Sequence, residues 1–272
     1  MTGAAGESRE WLDAAAREVG ADLVGVADLV RAGGLETDPP DLFHGFSRAV
    51  VMGLKLPDAP VDTCTEGPTP VYALAYRTAN DLLDRMAFRL ARRIEAEGHR
   101  ALPLPASQLL DRERLTGHVS YKALGRLAGL GWQGKSLLLV NPEYGPRFRM
   151  VAVLTDWDLA ADAPVRNRCG SCSACAEACP AGAIRNVGTE DHYRAREEAL
   201  RFDRCAEFCM ACAARPHIEK PICGVCVRVC PWGSRRRGTR TKNCRSAGKE
   251  GKPRPGPRGV SRRVGSTNSR RA

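Results

Sequence analysis

With 272 residues, 43% hydrophobic content and a formal net charge of +11, the chain can bury the core of one or two domains. It has no apolar run of membrane-span length, and the first twenty residues lack a charged-then-apolar export signal. A soluble cytoplasmic protein with no membrane partner is therefore expected. Its twelve cysteines lie almost entirely after residue 168, which suits metal-bound thiolates in a reducing compartment better than the disulfides of a secreted domain.

The positive charge is concentrated at one end. From Gly233 to Ala272 there are fourteen Lys and Arg against the single Glu250, which leaves 28 basic and 30 acidic residues in the remainder. The body is thus slightly acidic. The tail from 234 is rich in Gly, Pro, Ser and Arg, has almost no large apolar residues and is expected to be disordered. Such an arm could bind RNA or an acidic partner, or be a solvated extension.

In chain order, Ser8 to Val19 carries Trp11, Leu12, Ala15, Ala16 and Val19 on one helical face, and Gly20 closes the helix. Ala21–Val26 and Ala49–Leu54 are short apolar runs suited to buried strands, with a loop over Gly33–Pro40 between them. Cys64 sits in the turn-rich V-D-T-C-T-E-G-P-T-P and reads as a free thiol. Leu82, Leu83, Met86, Leu90 and Ile94 recur at helical spacing from Ala79 to Gly98, a helix for packing on a sheet. Ala101–Pro105 is extended. Ser120 to Ala128 is helical and runs into the glycine-rich turn A-G-L-G-W-Q-G-K-S at Ala128 to Ser136. Its spacing fits neither a Walker loop nor a dinucleotide fingerprint. Ser136–Val140 and Arg149–Thr155 read as an antiparallel pair joined through N-P-E-Y-G-P-R.

The most specific signal is Cys169 to Pro180, C-G-S-C-S-A-C-A-E-A-C-P, with the spacing of a bacterial ferredoxin. Three thiolates one short turn apart can cap one cubane, and the fourth points to a second cluster. The partner run is Cys223 to Pro231, C-G-V-C-V-R-V-C-P. The crossover rule assigns Cys169, Cys172, Cys175 and Cys230 to one [4Fe-4S] cluster. Cys179, Cys223 and Cys226 go to the other, with Cys205 able to serve as its early ligand. Cys209 and Cys212, in C-A-E-F-C-M-A-C, compete for that early position. Four close thiolates crowd a single tetrahedral zinc. With little apolar core around them, these segments should unfold once the clusters are removed.

The order A-G-L-G-W-Q-G-K-S-L-L-L-V-N-P-E-Y-G, V-L-T-D at Val153 to Asp156, the two cysteine runs and F-D-R-C between them resembles the epoxyqueuosine reductase family across Ala49 to Gly233. The likeness is greatest to a shorter double-cluster branch, marked by N-D-L-L-D from Asn80, L-P-L-P-A-S at Leu102 to Ser107 and G-H-V-S-Y-K at Gly117 to Lys122. The resemblance implies a mixed fold, α+β or α/β. An N-terminal corrin-binding-like domain over 1–165 would precede a two-cluster ferredoxin-like module over 166–233 and the tail over 234–272. It implies an iron-sulfur oxidoreductase in which the clusters feed a cobalamin-dependent reduction, or alternatively an electron-transfer protein without substrate chemistry. F-D-R-C makes Cys205 the cluster ligand. Cobalamin would lie against Gly129, Gly131, Trp132, Gly134, Lys135 and Ser136. Where the family carries an aspartate proton donor, Leu115 to Gly117 has no carboxylate. Asp111, Glu113 and His118 are the nearest titratable groups, and His118 or Tyr121 would donate the proton. A flavodoxin- or ferredoxin-type electron donor and a tRNA substrate are the implied partners.

Overall fold

A computed structural model of the chain describes residues 2–111 and 114–233, all within one unit, Met1–Arg240. The expected disordered tail, with Cys244 in it, and Glu113 lie outside the described residues. The helices are α1 (Thr2–Glu18), α2 (Asp58–Asp62), α3 (Pro70–Ala96), α4 (Tyr121–Leu127), α5 (Ala174–Glu177), α6 (Arg196–Ala199), α7 (Phe202–Ala213) and α8 (Val225–Val229). The strands are β1 (Leu23–Asp28), β2 (Arg48–Lys55), β3 (Ala101–Pro103), β4 (Trp132–Gln133), β5 (Leu139–Val140) and β6 (Phe148–Thr155). Among the described residues no helix is long and apolar enough to cross a membrane.

The main sheet runs β1-β2-β6-β3 with every pair antiparallel, so of the two expected classes the α+β one applies. Antiparallel sheets often leave one face wet, yet this one is covered on both. Val50 and Met52 of β2 and Val151 and Val153 of β6 meet Leu12, Ala15 and Ala16 of α1 and Leu83, Leu90 and Ile94 of α3. The alternate residues, Ala49, Val51, Ala152 and Leu154, meet Leu124 and Leu127 of α4 and Leu29 and Ala32 in the turn after β1. Double burial explains why these strands read as unbroken apolar runs rather than alternating ones.

Two expectations are corrected. Helix α3 starts nine residues before Ala79, because Thr69 caps it by accepting from the Tyr72 amide and Pro70 sits in the first turn. Ser136–Val140 does not pair with Arg149–Thr155. Instead β5 pairs with β4, and β6 joins the main sheet between β2 and β3. The cause is Asn141, whose Oδ1 accepts from the Glu143 and Tyr144 amides while its Nδ2 donates to the Leu130 carbonyl. That Asx-type turn sends the chain back before a long hairpin can form.

The cysteine-bearing segment is seated on the sheet layer by two devices. In the first, backbones touch: a Cβ on Gly145 would stand 1.8 Å from the Trp232 carbonyl oxygen, and one on Gly233 would stand 2.1 Å from that of Tyr144. In the second, Arg147, 3% exposed, reaches Asp62 at 2.8 Å, Asp58 at 3.3 Å and the Arg228 carbonyl of α8 at 3.1 Å. Around them Ile218, Ile222 and Val227 pack with Val61, Cys64, Tyr72 and Ala73.

Gly145 has φ of 58° as well as no space for a side chain, so Gly145→Ala should cost about 2–3 kcal/mol. Arg147→Ala, which leaves the largely buried Asp58 without this partner, should cost about 3 kcal/mol or more. Urea unfolding of the iron-loaded protein checks both, and a loss under 0.5 kcal/mol (about the scatter of surface substitutions) would contradict this account.

Candidate metal centre

Ten of the cysteines in the described residues fall after residue 168, on α5, α7, α8 and the loops between them. Cys169, Cys172, Cys175, Cys226 and Cys230 line one hollow of about 390 Å³, counting space open to solvent. Cys179, Cys205, Cys209, Cys223 and Cys226 line a second of about 400 Å³. Cys226 and Ser136 belong to both walls, so the hollows are neighbours. Among the described residues no three His, Cys, Asp or Glu side chains come close enough together to hold one metal ion. Thiols ringing a hollow, rather than converging on a point, fit a cubane and not a tetrahedral ion.

The first hollow is braced from the sheet side. Trp132, fully buried on β4, donates its indole N–H to Cys169 Sγ at 3.4 Å and meets Trp232 edge-on at 5.0 Å between centroids. Lys135, 6% exposed, donates from Nζ to the Cys172 carbonyl at 2.9 Å and to Asn186 Oδ1 at 3.2 Å. Asn167 bridges further, donating to the Gln133 carbonyl while its side-chain oxygen accepts from the Cys169 amide. At the second hollow the Ala183 amide donates to Cys179 Sγ at 3.3 Å.

Burial raises several thiols: Cys175 and Cys223 to about 11, Cys230 to about 12, and Cys226 higher still. The exception is Cys205, held below the ordinary thiol range by a hydrogen bond from Cys209, which is itself raised, with the Lys122 ammonium helping. Lys122 is in turn lowered by burial, then by Arg149.

The glycine-rich turn contributes unevenly. Gly134, Lys135 and Ser136 line the first hollow. Gly129 and Gly131 turn inward, where an added Cβ would lie 2.9 Å from the Ala163 carbonyl oxygen and 2.2 Å from that of Val140. His118 lines neither hollow, and its Nδ1 lies 2.6 Å from the Asp38 carbonyl. The Tyr121 hydroxyl donates to the Pro105 carbonyl at 2.7 Å and is raised, chiefly by burial. Cys64 is buried outside both hollows, against Gly224, and burial raises it to about 11. Spacing alone could not give its place, because that contact comes from Gly224, 160 residues later.

Residues 168–233 match the 4Fe-4S double cluster binding domain family, and two [4Fe-4S] clusters are the cofactors of this segment. The chain is similar to epoxyqueuosine reductases. It is 30% identical to that of Salmonella typhimurium over 211 residues, 76% of this chain and 53% of the relative. It is 35% identical to that of Gloeobacter violaceus over 120 residues, 44% of this chain and 38% of the relative. The chain thus spans about half the length of these relatives or less. Among solved structures, a catabolic reductive dehalogenase matches with a TM-score of 0.63 at 19% identity, over 82% of this chain and 31% of that one. An epoxyqueuosine reductase solved with an epoxyqueuosine-modified tRNA-Tyr stem loop matches with a TM-score of 0.56 at 21% identity, over 84% of this chain and 66% of that one. The family resemblance carried by the motif order is therefore found independently, and the solved structures share the fold.

Because a cluster takes thiolates, loading must expel the protons that burial holds on Cys175, Cys223 and Cys230. These sites are raised, so they stay protonated at neutral pH and oppose capture there. Apparent affinity for iron and sulfide should rise from pH 7 toward 11, with acid released during anaerobic reconstitution in weak buffer. An affinity independent of pH would contradict the burial of these thiols. Separately, Trp132→Phe removes an N–H donor to sulfur. If that bond is worth about 1 kcal/mol, one cluster's potential should fall by roughly 40 mV in a spectroelectrochemical titration, with the other cluster unmoved.

Proposed function

We propose that this chain is an iron-sulfur oxidoreductase that passes electrons from two [4Fe-4S] clusters to a cobalamin-dependent reductive reaction of the epoxyqueuosine reductase kind. The observation that carries the reading is the wall between the layers: Gly134, Lys135 and Ser136 of the glycine-rich turn line a hollow whose other side is Cys169, Cys172, Cys175 and Cys230. On this reading residues 1–165 form the substrate side, and 166–233 form the electron-carrying side. The ligands follow the crossover pattern, with Cys169, Cys172, Cys175 and Cys230 on one cluster and Cys179, Cys205, Cys223 and Cys226 on the other.

A bound corrin would supply a cobalt able to take single electrons and act on a substrate carbon. Of the residues expected to hold it, Gly134, Lys135 and Ser136 line the hollow assigned to the first cluster, with Lys135 held on the Cys172 carbonyl, and Gly129, Gly131 and Trp132 support that wall from within. Lys135 keeps a buried positive charge near the first hollow, which favours added electrons there. The tRNA substrate is carried over from the family resemblance and from the epoxyqueuosine reductase solved with a modified tRNA stem loop. A flavodoxin- or ferredoxin-type protein would supply the electrons.

A second reading, electron transfer without substrate chemistry, is favoured by one observation. Both expected proton donors stand outside the two hollows, with the Tyr121 hydroxyl on the Pro105 carbonyl and His118 Nδ1 on that of Asp38. Anaerobic purification with added cobalamin, followed by iron, sulfide and cobalt analysis and an optical spectrum, separates the two. The first predicts about eight irons and one cobalt per chain. Two clusters without cobalt, cycling under a reductant, would replace it with the second.

A further inference from the structure

With Cys226 counted once, nine thiols line the two hollows, one more than two cubanes need, and once Cys226 is assigned to the second cluster the surplus lies at the second hollow. Cys179, Cys205, Cys209, Cys223 and Cys226 all line it, and Cys226 also reaches the first hollow. Cys205 and Cys209 are four residues apart on α7, so they lie one turn above the other on the same helix face. Phe208 lines the hollow beside them. Both thiols face the second hollow from that one helix face. Cys212, one turn further along, takes no part. It is fully buried, lines neither hollow, and lies against Gly67.

We propose that Cys209 is a reserve ligand of the second cluster, able to take the corner that Cys205 holds. The exchange balances without an oxidant or reductant. The iron–sulfur bond to Cys205 breaks as the bond to Cys209 forms, and the proton that Cys209 gives up is matched by one that the released Cys205 thiolate takes. Neither iron nor sulfur changes oxidation state. A helix offering two thiols to one corner lets the cluster survive loss or oxidation of the first. The α7 backbone need not move by more than the rise of one turn, about 5.4 Å, which rotation of the side chains can absorb in part.

This rests on the double-cluster reading, and the experiment separates failure of one from failure of the other. The full chain is reconstituted anaerobically as wild type, Cys205→Ala, Cys205→Ser, Cys205→Ala with Cys209→Ala, and Cys205→Ala with Cys212→Ala. Iron and sulfide are counted and electron paramagnetic resonance spectra are recorded in both oxidation states. Both Cys205 single variants should keep about eight irons, with the second cluster's signal shifted and the first cluster's unchanged. The pair lacking Cys212 should behave the same way. The pair lacking Cys209 should lose the second cubane, falling toward half the iron or giving a three-iron signal. If Cys205→Ala and Cys205→Ser already show that loss, the proposal is overturned, and likewise if both variants lose both clusters. If the pair lacking Cys212 fails while the pair lacking Cys209 holds, Cys212 is the substitute and Cys209 is not. A wild-type chain with fewer than two clusters would overturn the underlying reading and the proposal with it.

Discussion

The contact on which the arrangement depends is the meeting of two backbones, Tyr144-Gly145 from the turn before β6 and Trp232-Gly233 from the end of the second cysteine run. No side chain fits between them, so Cys230, the last cysteine of that run, is anchored two residues from the contact. Cys230 lines the same hollow as Cys169, Cys172 and Cys175, which come from a loop more than fifty residues earlier. A cubane demands that thiols from such distant segments stand around one volume. Two apolar clusters pack at this end, one around Ile218, Ile222 and Val227 and one around Leu137, Ile184 and Leu200, and the main-chain contact adds rigidity to them.

Charge reinforces the same seam. Arg147 is nearly fully buried and would be costly there if unpaired. It is held by two carboxylates of α2 and a carbonyl of α8, so it ties the sheet layer to the cysteine helix in a single side chain. Lys135 does the corresponding work at the first run by holding the Cys172 carbonyl. Lys135 lines the first hollow, where a cluster with four thiolates would bring negative charge and offset part of the cost of burying it.

Much of this was legible in the sequence because it is local. Helical periodicity gave most of the faces of α1 and α3, since Leu12, Ala15 and Ala16, and Leu83, Met86, Leu90 and Ile94, reach the core, while Leu82, expected on the same face, is exposed. Cysteine spacing gave the two thiol groups, because one turn of chain already determines which sulfurs can share a cube. What escaped depended on partners far along the chain. Asn141 turns the strand because the Leu130 carbonyl is waiting for its amide. The glycines at 129 and 131 read as a place for a ligand, and the structure sets them against the protein's own carbonyls. The start of α3 was missed for a different reason. Thr69-Pro70 is a local cap signal, but it lies inside a stretch so rich in turn residues that it read as loop.

The choice among Cys205, Cys209 and Cys212 shows where spacing stops deciding. On a helix, residues three and four apart share a face, so all three were admissible early ligands from sequence. Burial removes Cys212 from both hollows, because its side chain is spent under Gly67. It does not separate Cys205 from Cys209, which line the same wall. The asymmetry between those two is electrostatic. Cys205 is lowered, by Cys209 and then by Lys122, while Cys209 is raised, so Cys205 is the more readily ionised of the pair. Both thiols face the second hollow from one face of α7, so lining alone leaves either able to take the corner.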